Sequence, residues 1–337
     1  MLQQIILPKY NNKLEKQLIN LFHSSNLPLH FNKTGNKEFT NYQRISIIIL
    51  FQRSKKSIRD FVEEFHESKW VSWLGLKKIP KKSTLHDWLK IFNMQIIRKI
   101  CKVLLPKEIK LTAIDGTGVD SWQRSRHYEK RINETHMPYA KVDLFIDVKT
   151  RKVLDFSLIC RRQHDVVIAE KIFKRFALKD VIILGDGGYD SEPLHEVVRQ
   201  KGGILFAPVR KTNKKSLKGK RPKGIYRRQC VELPKFMGQR SIVESVNSSL
   251  KQKQIHSLRA KKVFMKQREF GWQIVWYNLR MNLKNSPKKE LNFFIFQLEF
   301  MSFRTSPNFS FQPPKSSFSS SSSLKGISVI DKSRSKP

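Results

Sequence analysis

Two kinds of apolar spacing divide the chain. From Glu38 to Ile100 the apolar residues recur at helical intervals: Ile45, Ile48 and Ile49, then Ile58, Phe61, Val62 and Phe65. Trp70, Trp73 and Leu74 follow, and Gly75 punctuates the run. Pro80 ends the preceding element, which leaves Ser83 to cap a helix through Leu85, Trp88, Leu89 and Phe92. Upstream lies one amphipathic stretch at Leu14, Leu18, Leu21 and Phe22. From Leu111 the period becomes that of strands. Leu111-Thr112-Ala113-Ile114 is a short apolar run that predicts a buried strand ending at Asp115. Val142 to Val148 and Lys152 to Cys160 predict a hairpin turned at Lys149-Thr150-Arg151. A helix from Asp165 to Phe176, capped by Asp165, precedes a strand over Val181 to Gly185. A helix capped by Ser191, a strand over Ile204 to Ala207 and a helix over Gln239 to Gln254 complete the core. Val263 to Leu283 reads as a terminal helix covering the sheet. The expected fold class is α/β, a mixed sheet flanked by helices, behind an all-helical N-terminal domain.

The borders follow from the same pattern. Residues 1–104 form the helical part, residues 105–283 the sheet-containing part, and residues 284–337 a Phe- and Ser-rich tail that reads as disordered. Inside the second part, residues 209–240 form a basic loop. Its first half, Val209 to Arg228, has little apolar content and is expected to stay out of the core.

Charge changes the picture most. The chain carries 66 Lys+Arg against 28 Asp+Glu, a formal net charge of +38. Such an excess points to a polyanionic partner, with nucleic acid foremost, rather than to one amphipathic membrane helix. Lys81 and Lys82 lead into the helix of Leu85 and resemble the approach to a helix-turn-helix, where a helix N-terminus can take a phosphate. A helical subdomain that only packs on the core fits the same residues. Lys211, Lys214 and Lys215 belong to the basic loop and are expected to meet a DNA backbone. Cys101, Cys160 and Cys230 are scattered, which argues against a disulfide framework and a zinc site. No apolar run is long enough to span a bilayer. The expected location is the cytoplasm, on the nucleoid when DNA is bound, or the nucleus of a nucleated cell.

Two strand ends repeat one chemistry. Asp115 is followed by Gly116, and Asp186, after Val181 to Gly185, is followed by Gly187-Gly188. Two carboxylates brought side by side repel, and a divalent cation is the usual resolution. The helix over Gln239 to Gln254 supplies a third. Arg240, Glu244, Asn247 and Lys251 share one face at the helical period, with Ile242, Val243, Val246 and Leu250 opposite. Two Asp and one Glu make an all-oxygen set suited to Mg²⁺, with Mn²⁺ as a substitute. Two ions there would activate the attacking oxygen and stabilise the leaving oxygen of a phosphodiester.

The chain resembles DDE-type insertion-sequence transposases with an RNase H-like catalytic core. The resemblance rests on Asp115 in AIDGTG, Asp186 in LGDGGYDS and Glu244 in RSIVESVNSSLK, and covers roughly residues 38–283. Arg240, Glu244 and Lys251 fit the spacing of the Tyr-Arg-Glu-Lys branch; Met237 stands at its Tyr position. The resemblance implies Asp115, Asp186 and Glu244 as catalytic metal ligands. It implies Arg240, Lys251 and Asn247 as DNA contacts, and a homodimer acting on terminal inverted repeats and target DNA. A related nuclease without strand transfer, and a decayed or domesticated copy that only binds DNA, stand as alternatives. His164-Asp165 matches a His-Asp pair seen before the first core helix of related transposases, so His164 is either an active-site neighbour or a structural histidine. Asp120, Asp143, Asp147 and Asp155 read as turn, strand-edge or surface acids, and Asp190 as a helper in capping with Ser191.

Overall fold

The computed structural model describes residues 11–284, apart from 32, 33, 35, 36, 122–138, 211–221 and 256. The expected tail, residues 285–337, lies outside the described residues. Six helices come first: α1 (Asn11–Ser25), α2 (Asn41–Ser54), α3 (Ile58–His66), α4 (Trp70–Trp73), α5 (Lys82–Ile91) and α6 (Met94–Val103). The helical spacing of the sequence is therefore borne out. Thr40 closes a full capping box on α2, and Asn93 caps α6 through Ile96. Ser83 does not cap α5: the helix starts one residue earlier, and Lys81 holds the N-cap position without a side-chain bond.

The sheet has the order β3-β2-β1-β4-β5, with β1 (Leu111–Asp120), β2 (Tyr139–Asp147), β3 (Val153–Ile159), β4 (Ile182–Leu184) and β5 (Ile204–Phe206). β1–β2–β3 are antiparallel, and β1–β4–β5 are parallel. The mixed α/β core expected from the sequence is present, with its first strand in the centre. β1 does not stop at Asp115. It runs on through the glycines to Asp120 because β2 pairs with it along its length, Gly116 opposite Asp143 and Gly118 opposite Lys141. Gly interrupts an apolar run but not an antiparallel ladder, which needs only backbone. α7 (Asp165–Arg175) and α8 (Glu192–Gln200) pack on each other, and α7 also on β2 and β3. Ile114, Phe145, Phe173, Ile183 and Val198 fill the core cluster they share. Burying each such side chain contributes roughly 2 kcal/mol. Asp165 begins α7 and does not cap it; His164 sits at the N-cap without a side-chain bond. Likewise Ser191 holds the N-cap of α8 but makes no cap bond.

After a short helix α9 (Ile225–Arg228) and a 3₁₀ turn (Lys235–Arg240) come α10 (Ser241–Lys253) and α11 (Val263–Lys284). α11 is more than a cover. Every residue from Phe270 to Leu279 is buried, and the helix touches β3 as well as α1, α2, α5 and α6. Its enclosed Asn278 pairs both ways with the backbone of Val153. Phe270 meets Phe156 of β3 at 5.0 Å between ring centres, and Trp272 meets Phe92 at 5.4 Å. A Cβ on Gly271 would stand 2.9 Å from Ile97, so glycine lets α11 approach α6. Among the described residues no helix is long and apolar enough to cross a membrane.

Candidate active site

Register brings the two aspartates together. Ala113 lies opposite Leu184 in the parallel β1–β4 pair, so two residues further along each strand Asp115 and Asp186 come level. β4 ends at Leu184, and Asp186 opens the 3₁₀ turn Gly187–Tyr189, with its Oδ1 accepting from the backbone N–H of Gly188 at 2.7 Å. Asp115 is half-buried on the central strand. Its carboxyl is pushed up to about 6, first by burial, then by the negative charge of Asp186; Glu244 adds to this, while the Gly116 backbone and Arg240 oppose it. Asp115 thus feels both other acids, although the three come from a strand, a turn and a helix.

Glu244 reaches the site from the first turn of α10. Val243, Val246 and Leu250 are buried beneath it, and α10 packs on β1 and β2. Arg240 precedes α10, in the 3₁₀ turn that also holds Met237, and pairs with the exposed Glu244 at 2.8 Å. Asn247 is buried, and its Nδ2 faces Asp115 Oδ2 at 3.4 Å. Its Oδ1 is buried without a hydrogen-bond partner. Asp115, Thr117, Glu244, Asn247, Ser248, Lys251 and Gln252 line an open cleft of about 350 Å³. Lys251 is exposed at its rim, two helical turns from Glu244. Among the described residues no three Asp, Glu, His or Cys side chains already stand close enough to enclose a cation.

The other predicted residues divide. Lys81 and Lys82 are exposed at the start of α5. Lys211, Lys214 and Lys215 lie outside the described residues. His164 is exposed; the member of its pair that comes close to the site is Asp165. A Cβ on Gly116 would stand 3.4 Å from Asp165 Oδ1, and one on Gly188 would stand 3.3 Å from its Oδ2. Lys141 of β2 forms an ion pair with Asp165.

Asp143 is the largest departure from expectation. It is no surface acid: it is fully buried in mid-β2, opposite Gly116. The Tyr189 hydroxyl donates to its Oδ2 at 3.1 Å, and its Oδ1 has no partner. Burial, then Asp165, push its carboxyl up to about 7 against Lys141 and Tyr189, with Asp115 adding. An Asp between Val142 and Leu144 in a strand apolar on both faces was the available signal. Asp147 and Asp155 are also buried: Asp147 accepts from Thr150 in the hairpin turn, and Arg98 and Arg175 hold Asp155. Asp120 is exposed at the end of β1.

A family described as "Transposase DDE domain" matches residues 106–279, which spans the sheet, the cleft and most of α11. Among solved structures, a piggyBac transposase synaptic complex with hairpin DNA, determined by cryo-electron microscopy, aligns with a TM-score of 0.45 and 13% identity. That alignment covers 87% of this chain and 80% of the other. No curated protein sequence matches significantly. The family match takes in more than half of the chain, with Asp115, Asp186, Glu244 and the whole sheet inside it; the chain belongs to the DDE transposase family.

Proposed function

We propose that this protein cuts DNA at the ends of an insertion sequence and joins the freed ends to target DNA, using divalent metal ions held by Asp115, Asp186 and Glu244. The observation that carries this reading is that Asp115 and Glu244 line one cleft edged by Lys251, and that the charges of Asp186 and Glu244 both bear on the Asp115 carboxyl. Side chains from β1, the Asp186 turn and α10 have no structural reason to share a repulsive position. An all-oxygen, net-negative donor set fits Mg²⁺ or Mn²⁺. Two such ions, when bound, supply Lewis-acid stabilisation of the attacking and leaving oxygens. Completing the set would turn Glu244 from Arg240 toward the two aspartates. The freed Arg240 guanidinium and Lys251 then take phosphate oxygens, and Asn247 steadies Asp115 through its amide.

In the reaction, water attacks phosphorus at the element's end, and the 3′ oxygen leaves as a hydroxyl. That hydroxyl then attacks a target phosphodiester, one P–O bond forming as another breaks. Residues 1–104, with Lys81 and Lys82 leading into α5, and the basic loop of Lys211, Lys214 and Lys215 are assigned to the DNA backbone. The working form is a homodimer on DNA in the cytoplasm. The test is incubation of the protein with DNA carrying the gene's own flanking ends, in Mg²⁺ or Mn²⁺, beside Asp186→Asn. Nicking at the boundary by wild type alone is the expected result. Tight binding with no cleavage by either protein would overturn the enzymatic reading.

A further inference from the structure

The 3₁₀ turn that begins with Asp186 ends on another acid, Asp190, whose side chain is completely buried. Both its oxygens are held. Arg227 donates from Nε to Oδ1 at 2.6 Å and from Nη2 to Oδ2 at 2.7 Å, a bidentate pair. The backbone N–H of Arg210 adds a third bond, to Oδ2, at 2.8 Å. Two residues on, Glu192 of α8 accepts from the backbone N–H groups of Tyr226 and Arg227 at 2.9 and 3.0 Å. A Cβ on Gly224 would fall into the Glu192 carboxylate, so this close seat requires glycine. Downstream, Cys230 is buried with its Sγ toward the Leu205 carbonyl, and Phe236 stacks edgewise on Phe206 of β5. Residues 222–230, expected to be part of a loose basic arm, are therefore docked on the sheet's end.

The position of this docking matters more than its strength. Asp190 lies four residues after Asp186, and Arg227 lies on the segment that runs through the 3₁₀ turn into Glu244. We propose that Asp190 and Arg227 form a clasp that fixes the distance between Asp186 and Glu244, making both residues positioning residues of the active site. Neither touches the cleft. This inference rests on the assignment of Asp186 and Glu244 as the working acids. The bond spans 37 residues, from Asp190 to Arg227, within the longer stretch that separates the two acids along the chain. Without it, Asp186 keeps its turn and Glu244 keeps its helix, and the docking is left to the Glu192 bonds and the packing of Phe236 on Phe206. Misplacing a reacting group by about 1 Å costs on the order of 100-fold in rate.

The experiment has two readouts, on wild type, Asp190→Asn, Arg227→Lys and the exchanged pair Asp190→Arg with Arg227→Asp. Hydrogen exchange by mass spectrometry reports the tie itself. In Asp190→Asn, peptides covering residues 185–190 and 235–245 should exchange roughly tenfold faster, while β1 and β2 keep wild-type protection. Cleavage of end-bearing DNA reports the consequence. The single-turnover rate should fall roughly 10- to 100-fold with DNA affinity within about threefold of wild type. Arg227→Lys, which keeps the charge but loses the fork, should fall between, and the exchanged pair should recover part of the loss. Unchanged exchange in both peptides, or faster exchange spread evenly over the sheet, would overturn the clasp. Wild-type rates in a variant with faster exchange would overturn its positioning role. If wild type does not cleave, the proposed function fails, and the clasp stands or falls on exchange alone. If Asp190→Asn does not fold, Arg227→Lys carries both readouts.

Discussion

The sheet side and the helix side of the cleft hold their carboxylates by different means. On the sheet side, Asp115 and Asp186 are level because β1 and β4 are hydrogen-bonded in parallel register, and a register cannot slip by one residue without turning core side chains to the other face. The result is a half-buried carboxyl beside a like charge, with its affinity for a proton raised. On the helix side, Glu244 is exposed, paired with Arg240, and set by the packing of Val243, Val246 and Leu250 and by the segment leading to it. One side stores electrostatic strain in a rigid frame, and the other keeps a charged arm that can change partner. For the proposed function, this division would leave the repulsion on the sheet side and a ligand free to change partner on the helix side.

The sharpest way to break this comparison is to neutralise one acid on each side. Asp115→Asn and Glu244→Gln should each reduce metal-dependent cleavage by about 10³-fold or more, since either removes a ligand whose cations stabilise several kcal/mol of transition-state charge. Their stabilities should diverge. The folded-state value of Asp115 lies at about 6, above the ordinary 3.8. The folded protein therefore holds the extra proton between those values, and wild type loses stability as pH rises through that window and stays at the lower level above it. Asp115→Asn has no charge to lose. Its melting temperature at pH 7.5 should exceed that of wild type by a few degrees, and the gap should close below pH 4. Mn²⁺ should stabilise wild type at pH 7.5 and leave Asp115→Asn unmoved. Glu244→Gln should show no such gain without metal. Equal melting shifts in the two variants would mean that the repulsion is shared evenly between sheet and helix.

These two sides also differed in how far the sequence disclosed them. The three acids were legible because each sits in a local pattern: an apolar run, an acid, then glycine for Asp115 and Asp186, and helical spacing for Arg240, Glu244, Asn247 and Lys251. What escaped depends on partners far along the chain. β1 continues past Gly116 only because β2 lies beside it. Asp143 meets a hydroxyl 46 residues away, and Asp190 a guanidinium 37 residues away. α11 read as a cover because its apolar residues are visible in the sequence, whereas its enclosure between the sheet and the first six helices is set by their packing. Local caps were less legible: the helices of Ser83 and Asp165 start one residue or more before those residues could cap them, and Ser191 holds its N-cap position without a side-chain bond.

Asp143 gives the next test, again on the sheet side. Tyr189→Phe removes the one hydroxyl that serves the buried Asp143 Oδ2. Losing a donor to a buried carboxylate should cost about 1–3 kcal/mol. The cost should be larger at pH 8 than at pH 5.5, because the Asp143 carboxyl ionises near 7 and the charged form depends more on the donor. Urea unfolding at the two pH values measures the difference. A pH-independent loss would assign Tyr189 to packing against the sheet alone. Cleavage should fall too, since the same tyrosine closes the turn that Asp186 opens.

The smallest effect belongs to the exposed rim of the helix side. Lys251 lines the cleft but makes no contact that holds the fold, so Lys251→Ala should leave the melting temperature within a degree or so. Its loss should appear in DNA binding. Each phosphate neutralised by a cationic side chain contributes close to one to the slope of log affinity against log salt. The variant should therefore bind end-bearing DNA several-fold more weakly at low salt, with the slope reduced by about one, and the deficit should shrink as salt rises. Cleavage at saturating DNA should fall much less than in Glu244→Gln. A slope equal to that of wild type would move Lys251 off the phosphate, and a large loss of rate beside it would mean that the rim, like Glu244, works on the reacting atoms and not on the backbone beside them.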